Sequence, residues 1–210
     1  MKKVLPLLMI VVVTVFFVGC SKKDNRGPVA DKPIIYLYPE HEQHVTVELL
    51  DANKLTHSYP KYESAWEVLA KPNGDLVDLG TGRNLYSLYY ESNCENGFNM
   101  QEGFVIKGED TIVFLEEKLA ILGLSEREAN EFIIYWLPRL ENNKYNYIRF
   151  QTADEINSNM RLNITPAPDT TIRVWMEFKK LGQPITVTEQ ILTSPQRQGF
   201  VVVEWGGTEI

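Results

Sequence analysis

Two cysteines and three histidines in 210 residues leave little material for a disulfide framework or a histidine-rich metal centre. Serine-nucleophile patterns of the G-x-S-x-G kind are absent, which removes that route to acyl transfer. Glycine-rich phosphate loops are absent too, because Gly80-Thr81-Gly82 is too short, precedes no helix, and reads as a turn. His41-Glu42-Gln43-His44 spaces its histidines three apart, where a zinc protease needs them four apart on a helix. His57 on a nearby strand would be a third ligand, but loop histidines exposed to solvent are the expected reading. No metal and no cofactor is expected. Basic residues are also scarce: 21 Lys and Arg stand against 28 Asp and Glu, for a formal charge of −7. Nucleic-acid binding needs clustered Lys and Arg, and the one basic run of the polar region is Lys22-Lys23.

Long apolar runs are confined to the start. Met1-Lys2-Lys3 is a short positive region, Val4–Val18 is apolar apart from Pro6 and Thr14, and Gly19 is the small residue expected before a cleavage site. Phe17-Val18-Gly19-Cys20-Ser21 then resembles the lipobox of bacterial lipoproteins, with Phe17 where leucine is usual. That resemblance implies removal of residues 1–19 and acylation of Cys20, so that the protein is held at a membrane by lipid. An uncleaved membrane helix flanked by Lys22 and Lys23 is the alternative, and the run is shorter than the roughly 18–20 residues that span a bilayer. Cleavage removes two lysines and no acid, so the remaining body is more acidic still and is repelled from an anionic membrane surface. Ser21 in place of aspartate leans against retention at an inner membrane. With Cys20 acylated, Cys94 is alone in the polar stretch Ser92-Asn93-Cys94-Glu95-Asn96-Gly97. Its neighbours are acids and amides that do not stabilise a thiolate, so it reads as a tolerated loop or partly buried thiol, with a disulfide-linked dimer as the alternative.

Residues 20–32 read as a flexible tether, with Gly27-Pro28 in a polar run. Residues 33–210 read as a single α+β domain, antiparallel and β-rich, with an inserted helical hairpin. Strands are predicted over Pro33–Tyr38, Val45–Leu49, Leu55–Tyr59, Ala65–Ala70, Leu76–Leu79 and Leu85–Glu91, with a hairpin turn at Pro72-Asn73-Gly74-Asp75. Period then changes. Asp110–Leu122 places Ile112, Leu115, Leu119 and Leu122 on one face, with Asp110 to cap the start and Gly123 to end it. Ser125-Glu126-Arg127-Glu128 is a capping box, after which Ala129, Phe132, Ile133 and Trp136 line a buried face until Pro138 stops the helix. Strands resume at Tyr147–Gln151, Met160–Thr165, Ile172–Phe178, Ile185–Ile191 and Phe200–Trp205.

Two kinds of site remain. Paired carboxylates would suit hydrolysis of a glycan: Glu91 follows the aromatic strand Tyr86-Ser87-Leu88-Tyr89-Tyr90, with Glu177 or Glu204 as partner. Surface acids on alternating strands explain the same pattern without chemistry. Tyrosine, with an apolar body and a polar tip, suits glycan or protein surfaces, and Tyr36, Tyr38, Tyr59, Tyr62, Tyr86, Tyr89, Tyr90, Tyr145 and Tyr147 cluster in three stretches, most of them expected as ordinary packing. Candidate binding residues are Tyr86, Tyr89, Tyr90, Glu91 and Trp175.

The segments Lys32-Pro33-Ile34-Ile35-Tyr36-Leu37-Tyr38-Pro39, Gly108-Glu109-Asp110-Thr111, Tyr135-Trp136-Leu137-Pro138 and Glu204-Trp205-Gly206-Gly207 resemble an uncharacterised family of bacterial secreted or lipid-anchored proteins. The resemblance implies export and one continuous domain, and no activity. Glu131 and Tyr135 fall beside the buried face of the second helix and are expected to present a fixed surface. The leading expectation is a lipid-anchored cell-envelope protein, outside the cytoplasm, that binds a glycan or protein partner without catalysis; the alternative is a hydrolase of envelope or extracellular polymers.

Overall fold

Strict alternation along three strands builds two cores at once. The structure, a computed structural model, describes residues 29–94 and 101–210. The expected signal peptide, Cys20 and the tether up to residue 28 lie outside the described residues.

Among the described residues the first half holds β1 (Val29–Tyr38), β2 (Gln43–Leu49), β3 (Leu55–Tyr59), β4 (Trp66–Ala70), β5 (Leu76–Asp78), β6 (Asn84–Leu85), β7 (Leu88–Asn93) and β8 (Glu102–Lys107). The helices α1 (Thr111–Ile121) and α2 (Glu126–Leu140) follow, then β9 (Tyr145–Phe150), α3 (Ala153–Asn159), β10 (Leu162–Thr165), β11 (Thr170–Leu181), β12 (Thr188–Glu189) and β13 (Val201–Glu209). One sheet has eight strands in the order β12-β8-β9-β11-β13-β1-β7-β3, and the other has five in the order β10-β2-β4-β5-β6. The fold is α+β and β-rich, with α1 and α2 as a helical hairpin. Most neighbours are antiparallel, but β11 and β13 at the centre of the large sheet run parallel, with Ile172 opposite Val203 and Arg173 opposite Glu204.

Side chains on successive strand residues point to opposite faces. On β13, Val201, Val203 and Trp205 join Val174 and Met176 of β11 under Leu115, Leu119, Phe132 and Trp136 of the helical hairpin. On the other face Val202, Trp175, Ile35, Leu37, Leu88 and Tyr90 meet Val45, Val47, Trp66 and Val68 of the small sheet, with Ile156 of α3 beside them. The large sheet is therefore covered on both sides, by helices on one and by the small sheet and α3 on the other.

Local chemistry explains the helix ends. Ser125 and Glu128 form the capping box: the Ser125 amide donates to Glu128 Oε2 at 2.7 Å and the Glu128 amide to Ser125 Oγ at 3.4 Å. Gly123, at φ +86°, closes α1 in a conformation that other residues adopt at a cost. Asp110 makes no side-chain cap, and Ile112 is exposed while Phe114 takes its place in the core. Pro138 lies inside α2 and does not end it, because Leu140 two residues on is fully buried and anchors another half-turn. Two elements are additional to those expected: β8, and α3 with a second capping box at Thr152 and Glu155. The expected strand over Ile185–Ile191 shrinks to β12. Gln190 grips the backbone of β9 instead, accepting from the Phe150 amide at 3.0 Å and donating to the Phe150 carbonyl at 2.6 Å.

Close approach fixes the helices on the sheet. A Cβ on Gly207 would stand 2.4 Å from the Met176 carbonyl and 2.8 Å from the Trp136 ring, so the Trp136 indole lies directly on bare backbone.

Candidate functional site

The helical hairpin leaves the β7–β3 end of the large sheet uncovered on its helical face. A cleft of about 580 Å³ opens there, between that edge, the residues 84–87 and the flank of α2. Strand register brings its tyrosines together. Tyr89 on β7 lies opposite Ile34 on β1 and opposite Tyr59 on β3. Tyr86 forms another wall and Tyr135 of α2 a further one. Tyr59 and Tyr86 are about half exposed, 51% and 46%, so their faces are open to a ligand.

Polar groups are fixed at the rim. Glu91 accepts from the Tyr89 hydroxyl at 2.6 Å, and its second oxygen lies 3.1 Å from His57 Nδ1. Burial, then the hydrogen bond to Glu91, pushes the Tyr89 hydroxyl well above the ordinary tyrosine range, so it stays a donor. Tyr36, beneath Tyr86 with ring centroids 6.5 Å apart, donates to Glu131 Oε2 at 2.6 Å and accepts from the Trp205 indole at 3.2 Å. Glu131 is also held by Arg127 at 3.6 Å. Cations stack on the walls: the Arg127 guanidinium lies 5.4 Å from the Tyr86 centroid and that of Arg139 4.0 Å from Tyr135. Lys32 lines the cleft, with Nζ 4.6 Å from the Tyr135 centroid and 5.7 Å from that of Trp205.

Of the five candidate binding residues, the structure brings Tyr86, Tyr89 and Glu91 to the cleft. Tyr90 and Trp175 do not reach it. They point to the other side of the sheet, 0% and 1% exposed, because alternation places them between the two sheets. The acids considered as partners of Glu91 share that side. Glu204 is fully buried, accepting from Tyr90 at 2.6 Å and pairing with Arg173. Glu177 is held by Gln151 and by Arg149 at 3.5 Å. Neither can converge with Glu91 across the sheet.

Other expected features fall out as follows. His41 and His44 are exposed, and among the described residues no three metal-ligating side chains come together. Cys94 is buried at the end of β7, where burial and then the nearby Glu177 raise its thiol to about 11. Among the described residues no helix is long and apolar enough to cross a membrane. The tether expected over residues 20–32 gives way to β1 from Val29 on, and Lys32 within that strand lines the cleft. Tyr135 was expected beside the buried face of α2, and it is part of the wall.

Comparison with family models, with curated proteins and with solved structures returns no match.

Proposed function

We propose that this is a lipid-anchored cell-envelope protein whose domain is a non-catalytic recognition module, and that it binds a glycan in the tyrosine-lined cleft. The anchoring rests on residues 1–21 of the sequence, with lipid on Cys20 and the domain outside the cytoplasm. The glycan reading rests on one observation: Tyr59, Tyr86, Tyr89 and Tyr135 wall a cleft of about 580 Å³ that also holds Asn84, Ser87 and Glu91. Flat apolar faces beside fixed hydroxyl, amide and carboxylate groups are what a sugar ring needs, and the volume falls in the range of small-ligand sites. Tyr59 and Tyr86 are half exposed and core packing does not require them, while Tyr89 and Tyr135 pack in part against the helical-side core.

Titration calorimetry of the purified protein against peptidoglycan fragments and common oligosaccharides tests this. Binding is expected, weakened about 10-fold by Tyr89→Ala and by Tyr86→Ala, in line with loss of a central aromatic contact. Binding that ignores both substitutions, or none to any member of the panel, overturns it.

A hydrolytic reading draws on Asp31, whose carboxyl is raised first by burial and then by the charge of Glu91. Two neighbouring acids are the raw material of glycoside cleavage. Turnover of any bound glycan, abolished by Glu91→Gln, would make the cleft an active site.

A further inference from the structure

Among the described arginines, Arg127, Arg149, Arg161, Arg173 and Arg197 each pair with a carboxylate. Lys32 and Arg139 do not. Both instead lie over one ring, that of Tyr135, at 4.6 Å and 4.0 Å from its centroid. Arg83 has no carboxylate partner either; what sets Lys32 and Arg139 apart is that they share one aromatic face beside the cleft.

The backbone is bent to put Lys32 there. Lys32 has φ 55°, and it is the one non-glycine with positive φ among the described residues. Non-glycine residues take that conformation uncommonly, and more often at functional sites than elsewhere. It falls in a bulge of β1: pairing slips between Asp31 and Ile34 against β13 and between Ala30 and Ile34 against β7. Bulges re-aim side chains. Ala30 lies in the core between the sheets whereas Ile34 and Tyr36 lie on the helical side, so β1 changes side across this bulge, and the ammonium of Lys32 comes over Tyr135 and Trp205. Burial lowers the lysine pKa, against the pull of Glu131 and with Arg139 adding to it, so the ammonium is only partly hydrated.

Of the acids around the cleft, Asp31 is not among the lining residues and the other two are already engaged. Glu91 is occupied by Tyr89 and His57, and Glu131 by Tyr36 and Arg127. What the cleft offers beside its stacking faces is therefore the Lys32 ammonium at Tyr135, with Arg139 over the same ring just outside the lining.

Resting on the glycan reading above, we infer that the preferred ligand is an acidic sugar, a uronic acid or another carboxylate-bearing residue, whose ring stacks on the tyrosines and whose carboxylate pairs with Lys32 and Arg139. A charged hydrogen bond from a half-buried ammonium is stronger than the neutral bonds that a plain hexose makes. It also gives discrimination, since a neutral ligand leaves the cations unmatched.

The test compares tetragalacturonate, its fully methyl-esterified form and neutral chitotetraose by titration calorimetry on the full chain. The acid is expected to bind at least about 10-fold more tightly than the ester. Lys32→Met, which keeps the stem over Tyr135, should erase that preference by weakening the acid at least about 10-fold more than the ester, and Arg139→Gln should reduce it. Arg139→Gln carries the test if Lys32→Met lowers the melting temperature. Equal binding of acid and ester, or a preference that survives both substitutions, overturns the inference and leaves the glycan reading in place. Binding of chitotetraose alone does the same. Failure of all three to bind overturns the inference, and the glycan reading falls with it if the wider oligosaccharide panel is also silent.

Discussion

Tyr90 and Glu91, consecutive in β7, face opposite sides of the large sheet: the Tyr90 hydroxyl donates to Glu204 at 2.6 Å between the sheets, while Glu91 accepts from Tyr89 at 2.6 Å at the rim of the cleft. The pair separates what holds the domain together from what is free to recognise a ligand.

Neighbouring substitutions should therefore differ in kind. Tyr90→Phe leaves a buried Glu204 oxygen without its donor, which costs about 1–3 kcal/mol. Glu204→Gln should cost more, about 3–5 kcal/mol, because it strands the Arg173 charge beside it. Tyr89→Phe, at the open face, should change stability by less than about 0.5 kcal/mol. Urea unfolding midpoints measure all three; a Tyr89→Phe cost equal to that of Tyr90→Phe would show the cleft to be part of the core.

Glu177 should give the domain an unusual pH profile. Burial raises its carboxyl to about 7, against the opposing pull of Gln151 and Arg149. Between about pH 4.5 and 7 the folded protein keeps a proton that the unfolded chain has released, so stability falls as pH rises through that window. Glu155 acts with the opposite sign. Burial raises it less than hydrogen bonds from Thr152 and Arg149 lower it, and its contribution disappears on acidification below about pH 4.5. Glu177→Gln should flatten the upper window in denaturant titrations; an unchanged slope would assign the effect to another group.

Cys94 should behave as a core side chain. With Cys20 acylated or replaced by serine it is the one remaining thiol, 6% exposed and shifted to about 11. At pH 8 it should react with a disulfide reagent at least about 100-fold more slowly in the folded protein than in urea. Fast reaction of the folded protein would mean that the end of β7 opens readily.

Gly207 should tolerate no side chain. Alanine there meets the Met176 carbonyl and the Trp136 ring, whereas alanine at Gly182 meets nothing within 4 Å. Gly207→Ala is expected to cost about 3 kcal/mol, as overpacking does, and Gly182→Ala less than about 0.5 kcal/mol. Comparable melting temperatures for the two would mean that α2 slides on the sheet.

Period was the most legible signal. Alternation in Val45–Leu49 and Ile172–Phe178, the Ser125 capping box and the Asn73-Gly74 turn each mark an element the structure contains. Alternation does not say what covers each face. Arg173, Trp175 and Glu177 look like a second, outward side, and that side is buried because α3 and the small sheet close over it. The pattern Thr152-x-x-Glu155 marked α3 as clearly as Ser125 marked α2, and its shortness hid it. The cleft was legible at Tyr86, Tyr89 and Glu91, where tyrosines crowd one strand. Lys32 was not, because the bulge that carries β1 from one core at Ala30 to the other at Ile34 leaves no trace in spacing.

The central position of β13 carries a consequence for the order of events in synthesis. Residues 201–209 separate β1 from β11, and until they are made neither half of the large sheet has its middle. Ile35 and Met176 then keep only their outer neighbours, Leu88 on β7 and Phe150 on β9, so the large sheet stays in two pieces until β13 arrives. Pairing residues that lie so far apart in sequence makes folding slow, and a chain that folds late can still be threaded or handed on while it is unfolded.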